Sequence, residues 1–499
     1  MKILFAASEC LPFIKTGGLA DVAGTLPKAM AELAKENELR VILPKYRRIP
    51  EMYRYNMRHV FDTWIALGWR NQYLGVDEYV LDGVTYWFVD NEFYFGGDYI
   101  YGDGDFETER FCFFCKAVME CLPRLGFMPD IIHCNDWQTG YIPLLVRQYG
   151  IRPDYAGIKT VFTIHNLRFQ GIGNRMFVDD LLSLGQDALD RIEYSGGASA
   201  MKAGLMYCDR ITTVSPTYAN EILTPEYGET LDCVLRDRAG DLSGILNGIS
   251  NTLYDPANDR NIAVNFTKDD LSGKEKCKLA VLRELGLAED ASRPLVAVIS
   301  RLTDQKGVDL ISWLLPKILN EGAQAVVLGM GDRHYEELFG RLSWENPSFA
   351  FRCEMNDALS RRIYAGADMF LMPSRFEPCG LSQMLALRYG CIPIVRETGG
   401  LRDTVLSYNE FTQAGNGFTF FNYNAHDMLH TIERAVDFYE HHQDVWKLLQ
   451  DRGMKGDYSW AHSAGEYLKL YESMFEEKKE AVKTEPEEAN PVVVEIDEK

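Results

Sequence analysis

TGGLADV, at residues 16–22, has a near copy in TGGLRDTV at residues 398–405. Each copy follows an apolar, strand-like run, MKILFAA at 1–7 and CIPIVRE at 391–397. A glycine pair at such a place lets the backbone turn tightly and approach a ligand closely, because glycine has no Cβ and tolerates positive φ. The loop can also direct backbone N–H groups and a helix N-terminus at an anion. The repeat predicts two related ligand-facing loops in two similar domains, and chance recurrence is the alternative.

Length and charge limit the class of protein. At 499 residues and 46% hydrophobic content, the chain is too long for one core, which predicts two or three globular domains. A formal net charge of −21 and a pI of about 5.0 argue against nucleic acid or an anionic membrane as the main partner, since both require a broad basic face. Any anionic ligand must therefore be held by a few placed cations.

The cysteines and the N-terminus predict a cytoplasmic location. The apolar stretch before Glu9 is too short for the apolar region of a signal peptide, and no later run is long enough to span a membrane. The 11 cysteines are odd in number and scattered, which does not suggest a disulfide framework. Cys112 and Cys115 form a CxxC without a second pair at zinc spacing, so we expect buried helix cysteines.

Strand-like and helix-like stretches alternate in both halves, which indicates an α/β fold with two doubly wound domains of about six strands each. The strand-like runs are 3–7, 39–43, 85–90, 130–134, 160–164, 210–214, 295–300, 323–329, 349–353, 368–372, 393–396 and 417–421. A segment rich in Gly, Asn, Asp and Pro places the domain boundary near 245–260. The acidic end of the chain has the composition of a disordered tail.

Polar residues follow several of these predicted strands, where ligands bind in open α/β sheets. They are Asp136, His165, Arg301, Lys306 and Glu377. Each also has a structural interpretation: Asp136 could cap a helix that begins at Trp137, His165 could be a hydrogen-bonded structural histidine, and the two cations could be solvated loop charges. Glu377 is harder to explain structurally, because an acid beside small residues is costly to bury without a partner.

Together these residues predict a site for a phosphorylated ligand. Lys15, Arg301 and Lys306 could neutralise a diphosphate, and the Gly17–Gly18 and Cys379–Gly380 turns could donate backbone N–H groups. Glu377, His165 and Asn247 could bind sugar hydroxyls. A hydrolase with two carboxylates is not supported, because the position eight residues beyond Glu377 is Leu385. A metal site is not supported either, because the sequence has no HExxH motif.

Seven motifs in order resemble those of the glycogen and starch synthase family, glycosyltransferase family 5. They are KTGGLADV (15–22), HCNDWQTG (133–140), FTIHNL (162–167), GILNGI (244–249), SRLTDQKG (300–307), SRFEPCGLSQ (374–383) and RETGGLRDTV (396–405). The resemblance spans about residues 1–475. It implies a GT-B fold with an N-terminal Rossmann-like domain at 1–248, a C-terminal one at 249–460, a helix at 461–477 that packs back on the first domain, and an acidic tail at 478–499.

The resemblance implies transfer of glucose from ADP-glucose to the non-reducing end of an α-1,4-glucan, with retention and without a cofactor or metal. In such a site Arg301 and Lys306 hold the diphosphate, helped by the main chain at Gly18, Gly380 and Leu381. Glu377 and His165 position the glucosyl hydroxyls with Asn247 nearby, and Asp136 lies on the acceptor side. Lys15 and Asp21 belong to the motif that approaches the donor from the first domain.

Alternatives remain at this point. Met355 stands where many family members have an aromatic residue for the adenine, so a related retaining GT-B transferase that uses UDP-glucose stays open. A catalytically idle glucan-binding protein is a second alternative, although Lys15, Arg301, Lys306 and Glu377 are all present. A nicotinamide-dependent dehydrogenase would require GxGxxG after the first strand, which is missing. The sequence does not predict the oligomeric state.

Overall fold

The computed structural model describes residues 1–320 and 322–483, with side chains through residue 475. Strands of the first half are β1 (Lys2–Ala6), β2 (Glu38–Pro44), β3 (Arg58–Leu67), β4 (Arg70–Leu81), β5 (Val84–Asp90), β6 (Ile131–Asn135), β7 (Lys159–Ile164), β8 (Ile172–Gly173), β9 (Glu193–Tyr194), β10 (Gly197–Ser199), β11 (Arg210–Thr213) and β12 (Leu242–Gly244). Helices of this half are α1 (Gly18–Leu33), α2 (Glu51–Arg54), α3 (Glu92–Phe95), α4 (Gly104–Arg124), α5 (Tyr141–Tyr149), α6 (Arg175–Leu182), α7 (Gln186–Ile192), α8 (Ala200–Tyr207), α9 (Pro216–Glu221) and α10 (Asp232–Asp237).

Strands of the second half are β13 (Leu295–Ile299), β14 (Gln324–Leu328), β15 (Phe349–Arg352), β16 (Met369–Met372), β17 (Ile392–Arg396) and β18 (Phe418–Phe420). Its helices are α11 (Ser272–Leu285), α12 (Val308–Asn320), α13 (Arg333–Glu345), α14 (Asp357–Gly366), α15 (Ser382–Arg388), α16 (Gly399–Thr404), α17 (Ala425–His441), α18 (Gln443–Lys455) and α19 (Trp460–Lys483). Short 3₁₀ turns occupy Trp137–Thr139, Ala239–Asp241 and Asp304–Lys306.

Two doubly wound sheets organise the chain, and each predicted strand-like run overlaps one of their strands. The first sheet has the order β12-β11-β7-β6-β1-β2-β5-β4-β3, and the second has the order β15-β14-β13-β16-β17-β18. The second sheet is parallel throughout, whereas the first ends in antiparallel pairs of β4 with β5 and β3. The buried strands are apolar because helices cover both faces of a parallel sheet. The predicted boundary between 248 and 249 falls after β12 and before β13, and it stays a prediction.

The β3–β4 hairpin was not predicted, and together with β12 it gives the first sheet nine strands instead of about six. Its strands mix exposed and buried positions because part of their surface is solvated, and a search for long apolar runs does not detect such strands. The pairing of β4 with β5 ends at Gly75 and Asp90, while that of β3 with β4 continues to Leu67 and Arg70. The hairpin tip therefore extends beyond the carboxyl end of β5.

The helix α19 packs on the first domain, although it follows the second in the chain. Trp460, Tyr467, Tyr471 and Met474 are buried in the core of the first domain. The helix continues to Lys483, past the start of the predicted tail at 478, and residues 484–499 lie outside the described residues.

A buried polar chain joins α19 to the first sheet. The Tyr471 hydroxyl lies 2.6 Å from Nδ1 of His133, whose Nε2 lies 2.5 Å from Oγ1 of Thr163. Thr163 in turn lies 2.5 Å from the Thr212 hydroxyl. Burial lowers the pKa of His133 to about 3, so the imidazole is neutral. The final helix is thus fixed to the sheet by hydrogen bonds as well as by apolar packing.

The cysteines agree with a reduced protein. All eleven are free, and Cys112 and Cys115 are buried in α4, as the sequence predicted. Within residues 1–320 and 322–483, the structure has no helix long and apolar enough to cross a membrane.

Candidate active site

The first TGG loop is ordered by a buried glutamate at the end of β1. A carboxylate oxygen of Glu9 accepts hydrogen bonds from the Thr16 N–H, from the Thr16 hydroxyl at 2.9 Å and from the Gly17 N–H at 3.2 Å. Burial raises the pKa of Glu9, and these donors act in the opposite direction. The sequence predicts that the Gly17 N–H faces a ligand, but in the structure this group donates its hydrogen bond to Glu9. A Cβ at Gly18 would meet open space, so the loop faces outward at the first residue of α1.

Lys15 forms an ion pair beside this loop. Its Nζ lies 2.8 Å from a carboxylate oxygen of Asp21. Burial raises the pKa of Asp21, Lys15 lowers it, and Asp357 of the second domain raises it. Asp21 is therefore close enough to the second domain to interact with one of its carboxylates. The pair places a cation where the two domains meet.

Asp136 combines a strained backbone with a shifted pKa. Its φ is 55°, and its side chain makes no cap hydrogen bond to the turn that follows. Oδ1 instead accepts from the backbone N–H groups of His165, at 2.7 Å, and Asn166, at 3.3 Å. Burial raises the pKa of Asp136 to about 7, and Glu9 adds to this effect. The cap interpretation is therefore wrong, and a strained, titrating carboxyl at a strand end is typical of a functional site.

His165 lies beside Asp136 as a neutral imidazole. Its Nε2 is 2.9 Å from Oδ1 of Asn135, and Nδ2 of Asn135 donates to the Ala6 carbonyl at 3.0 Å. Burial lowers the pKa of His165 to about 3. With Nε2–H donated to Asn135, Nδ1 is left as a hydrogen-bond acceptor.

Two of the predicted cations follow β13 in the second domain. The Nζ of Lys306 lies 2.6 Å from Oε2 of Glu377, which also accepts from the Ser374 hydroxyl at 3.0 Å. The loop that carries Lys306 packs closely on the Pro373 carbonyl at Gly307. This residue has φ of 70°, and a Cβ there would be 2.2 Å from that carbonyl oxygen. Arg301 is exposed, and within the described part of the chain its guanidinium makes no ion pair. The carboxyl ends of β13 and β16 thus present two cations and one carboxylate.

The second TGG loop supports Glu377. The Gly400 N–H donates to the Glu377 carbonyl at 3.1 Å, and a Cβ at Gly399 would lie 2.0 Å from the same oxygen. Oε1 of Glu221, in the first domain, accepts from the Thr398 hydroxyl at 2.9 Å and from the Gly399 N–H at 3.0 Å. Gly399 and Gly400 are therefore required because the neighbouring backbone leaves no space for a side chain. Their loop contacts protein at these positions and does not face a ligand.

Asn247 meets the second domain at Cys379. The Asn247 N–H donates to the thiol, whose pKa burial raises to about 12. Oδ1 of Asn247 is buried without a hydrogen-bond partner among the described residues. Gly380 has φ of 74°, and Leu381 is half-buried beside it. The predicted residues of the two domains are thus in contact at this point.

A groove of about 550 Å³ lies next to Asp136 on the first domain. Aromatic, aliphatic and polar side chains line it, among them Trp137, Phe169, Gln170, Ile172 and Tyr194. Its polar residues and aromatic rings suit an uncharged polyhydroxy chain. Sequence reasoning missed this groove, and it also missed Glu9 and Glu221, although an acid directly after the first strand was a signal for Glu9.

The two Rossmann-like domains, with cations, a carboxylate and backbone turns at their strand ends, define a glycosyltransferase of the GT-B fold. The family model for the starch synthase catalytic domain matches residues 2–237, and that for glycosyl transferases group 1 matches residues 286–447. The glycogen synthase of Anoxybacillus flavithermus is 48% identical over 95% of this chain and 98% of its own length. That of Geobacillus stearothermophilus is 49% identical over 96% of this chain and 99% of its own. The chain belongs to the glycogen and starch synthase family.

Solved structures agree with this assignment. The catalytic domain of starch synthase IV from Arabidopsis thaliana, bound to ADP and acarbose, superposes with a TM-score of 0.87 and 32% identity, over 94% of this chain and 98% of that one. A sucrose-phosphate synthase from Thermosynechococcus elongatus, at 16% identity and a TM-score of 0.61 over 95% of this chain and 99% of that one, shares the fold.

Proposed function

We propose that the chain elongates an α-1,4-glucan by transferring glucose, with retention, from ADP-glucose to the non-reducing end. The observation that carries the proposal is the Lys306–Glu377 pair, 2.6 Å apart, with the exposed Arg301 on the same loop as Lys306. Fixed cations next to a carboxylate can bind a diphosphate and a sugar hydroxyl at adjacent positions. The Arabidopsis relative, bound to ADP and acarbose, supports the same two ligand classes.

The cations act on the leaving group. Arg301 and Lys306 hold the diphosphate, with main-chain N–H groups at Gly18, Gly380 and Leu381. As the glycosidic bond breaks, negative charge grows on the leaving phosphate oxygen, so these groups bind the transition state more tightly than the donor. The charge is supplied by side chains, and we propose that the reaction uses no metal or cofactor.

The sugar is positioned by acceptors that lie near the cations. Glu377 accepts a glucosyl hydroxyl, and Nδ1 of His165 accepts another. Oδ1 of Asn247, buried without a partner among the described residues, gains one when a hydroxyl donates to it. Asp136 borders the groove in which the glucan acceptor lies. The pKa of this carboxyl, raised to about 7, lets it exchange a proton near neutral pH.

Retention requires attack from the face that the diphosphate leaves. No second carboxylate is placed for a covalent intermediate at the spacing from Glu377 considered above. We propose that the acceptor hydroxyl attacks the anomeric carbon as its bond to the diphosphate breaks, and that the leaving phosphate oxygen takes the hydroxyl proton. The products are the glucan longer by one unit and ADP.

One residue bears on the choice between ADP-glucose and UDP-glucose as the donor. Met355, in the position expected to contact the base, is 74% exposed. A flexible thioether discriminates among bases less strictly than a stacked aromatic ring. The sugar and phosphate contacts would be the same for both donors.

The test is nucleotide release from ADP-glucose and UDP-glucose, measured in parallel with and without glycogen. We expect ADP release that depends on glycogen, with chain elongation and an α-linked product. Faster release from UDP-glucose would transfer the proposal to that donor. Release from neither donor with glycogen would contradict the transferase and leave a glucan-binding protein.

The free thiols also lead us to propose a cytoplasmic location.

A further inference from the structure

Arg396, the last residue of β17, is a buried cation to which the site described above gives no role. Its side chain is 8% exposed. Nε donates to the Phe421 carbonyl at 3.0 Å, and Nη1 donates to the Arg375 carbonyl at 2.5 Å. The Tyr227 hydroxyl accepts from Nη2 at 3.2 Å. Each nitrogen of the guanidinium thus binds a different segment, and the last of these segments belongs to the first domain.

The partners of this buried charge are all neutral. Within residues 1–320 and 322–475, no carboxylate forms an ion pair with Arg396. The Tyr423 ring, with its centroid 5.7 Å from the guanidinium, offsets only part of the cost of desolvation, and a second cation, Arg375, lies 4.9 Å from the same ring. Apolar residues such as Ile392 and Ile394 fill the rest of β17 without that cost. Stability therefore does not explain an arginine at this position.

The main chain that Arg396 binds lies between the two charged residues of the donor site. The Arg375 N–H donates to the Gln305 carbonyl at 2.9 Å, while the Arg375 carbonyl accepts from Arg396. Gln305 directly precedes Lys306 in a 3₁₀ turn, and Arg375 stands two residues before Glu377. Arg396 thus fixes the segment that connects the loop of Lys306 with the loop of Glu377.

Tyr227 is held in turn by the groove beside Asp136. Two residues further along, the Glu229 carbonyl accepts from Nε2 of Gln170 at 2.9 Å and from the Tyr194 hydroxyl at 3.0 Å. Gln170, Tyr194 and Glu229 all line that groove. Glu229 has φ of 45°, a conformation that persists only when surrounding contacts fix it. The hydroxyl that reaches Arg396 is therefore carried by an ordered segment of the first domain.

We propose that Arg396 is a positioning residue for glucosyl transfer. It holds the main chain of Arg375 so that Lys306 and Glu377 stay paired, and Tyr227 connects it to the first domain. Arg396 does not touch substrate, because it is buried and its nitrogens bind protein. This inference rests on the proposed function, which gives Lys306 and Glu377 their roles. Displacement of a catalytic group by about 1 Å is enough to cost on the order of a hundredfold in rate.

The test is a double-mutant cycle with Lys306. In Arg396→Met, we expect kcat with ADP-glucose and glycogen to fall about tenfold, because a hydrogen bond from a charged donor is lost. In a Lys306→Ala background, the same change should lower kcat by less than about twofold, since the pair is already broken. Arg396→Lys, which can still donate to the Arg375 carbonyl, should recover part of kcat. The matched control is Arg333→Met, because the Arg333 side chain is 89% exposed on α13.

An equal loss of kcat in both backgrounds would overturn the inference. A lower Tm with wild-type kcat would also overturn it, since that result marks an arginine that acts on stability alone. If Arg396→Met does not fold, Tyr227→Phe provides the test, because it removes only the hydroxyl that accepts from Arg396. We expect this variant to lower kcat about threefold, and only when Lys306 is present. A wild-type kcat in Tyr227→Phe would overturn the connection to the first domain.

The affinity for ADP, measured by calorimetry, gives a readout that needs no turnover. Arg396→Met should raise the Kd of ADP about tenfold, because ADP carries the leaving-group charge that Lys306 binds. The same change should leave the Kd of Lys306→Ala unaltered. A protein that follows this pattern with ADP but transfers no glucose would refute the proposed function and support the positioning role, so the two failures are distinguishable. An unchanged Kd in Arg396→Met would count against the positioning role alone.

Discussion

Asp136 has an environment that differs strongly from that of an ordinary aspartate. Its carboxyl is desolvated, and its backbone adopts φ of 55°, which is costly for a non-glycine residue. The hydrogen bonds from the N–H groups of His165 and Asn166 stabilise the ionised form but do not offset burial. Such a residue reduces the stability of the fold, and a functional role explains why it is tolerated.

The stability cost of Asp136 should depend on pH. Its folded pKa, about 7, lies above the ordinary value of 3.8, so the folded state binds more protons than the unfolded state between these values. Relative to Asp136→Asn, the free energy of unfolding of the wild type should fall as pH rises from 4 to 7, by up to ~4 kcal/mol. Above pH 7 the difference should be constant. Urea unfolding of both proteins across this range measures it, and a difference independent of pH would contradict the desolvated carboxyl.

Lys306 should act on catalysis more than on glucan binding. In Lys306→Ala, turnover should fall by about a hundredfold to a thousandfold, because one fixed contact to the developing charge is lost. Retention on glycogen should be unchanged, since Lys306 acts on the diphosphate. Steady-state kinetics and affinity electrophoresis test this, with the exposed Lys276→Ala of α11 as the control. Wild-type turnover in Lys306→Ala would refute this role.

At the scale of elements, α9 and α16 bind each other's N-termini across the domains. Asp403 of α16 accepts from the Thr217 N–H at 2.9 Å and from its hydroxyl at 2.6 Å, at the start of α9. Glu221, the last residue of α9, accepts from the Gly399 N–H at the start of α16. Each helix thus places a carboxylate at the positive end of the other, which is favourable for both. The reciprocal contact holds the second TGG loop, and through it Glu377.

Removal of one half of this contact should weaken the site without a direct loss of substrate contact. In Asp403→Ala, we expect kcat/KM for ADP-glucose to fall about tenfold, because hydrogen bonds to a charged group are worth ~1.5–3 kcal/mol. X-ray scattering should show a larger radius of gyration. Asp444→Ala, at an exposed position on α18, is the control. If Asp403→Ala keeps both the wild-type kinetics and the wild-type radius, the contact does not hold the domains together.

The sequence predicted the parallel strands and the positions of Lys306 and Glu377, because buried parallel strands are apolar runs and functional residues follow their carboxyl ends. It did not predict that each TGG loop is held by a glutamate. Glu9 lies near its loop in the chain, but Glu221 reaches its loop from the other domain, and no local pattern encodes such a pairing. The hairpin was missed because its solvated face interrupts the apolar run.

At the scale of the whole molecule, α19 completes the core of the first domain. Tyr471 brings both apolar surface and a hydroxyl to the buried His133. Because these contacts join residues 338 positions apart, the last described helix and the first sheet share one core although the second domain lies between them in the chain. The second domain is thereby held at both of its ends.

Tyr471→Phe should reduce stability without a direct effect on the active site. It leaves Nδ1 of His133 buried without its partner, which costs ~1–3 kcal/mol. Calorimetry should show a Tm lowered by several degrees, on the order of 2–4 °C per kcal/mol in a domain of this size. Tyr55→Phe is the control, because Tyr55 is 80% exposed. An unchanged Tm in Tyr471→Phe would show that the buried polar chain contributes nothing to stability.

The position of α19 also sets the order of events during synthesis on the ribosome. Residues 1–244 emerge first, yet Trp460, Tyr467 and Tyr471 of their core are translated only after the strands and helices of the second domain. At about 5–20 residues per second, the N-terminal sheet waits more than ten seconds for its final helix. During that interval the apolar surface that α19 later covers is exposed to solvent. We therefore expect chaperones to bind the nascent chain until α19 has emerged.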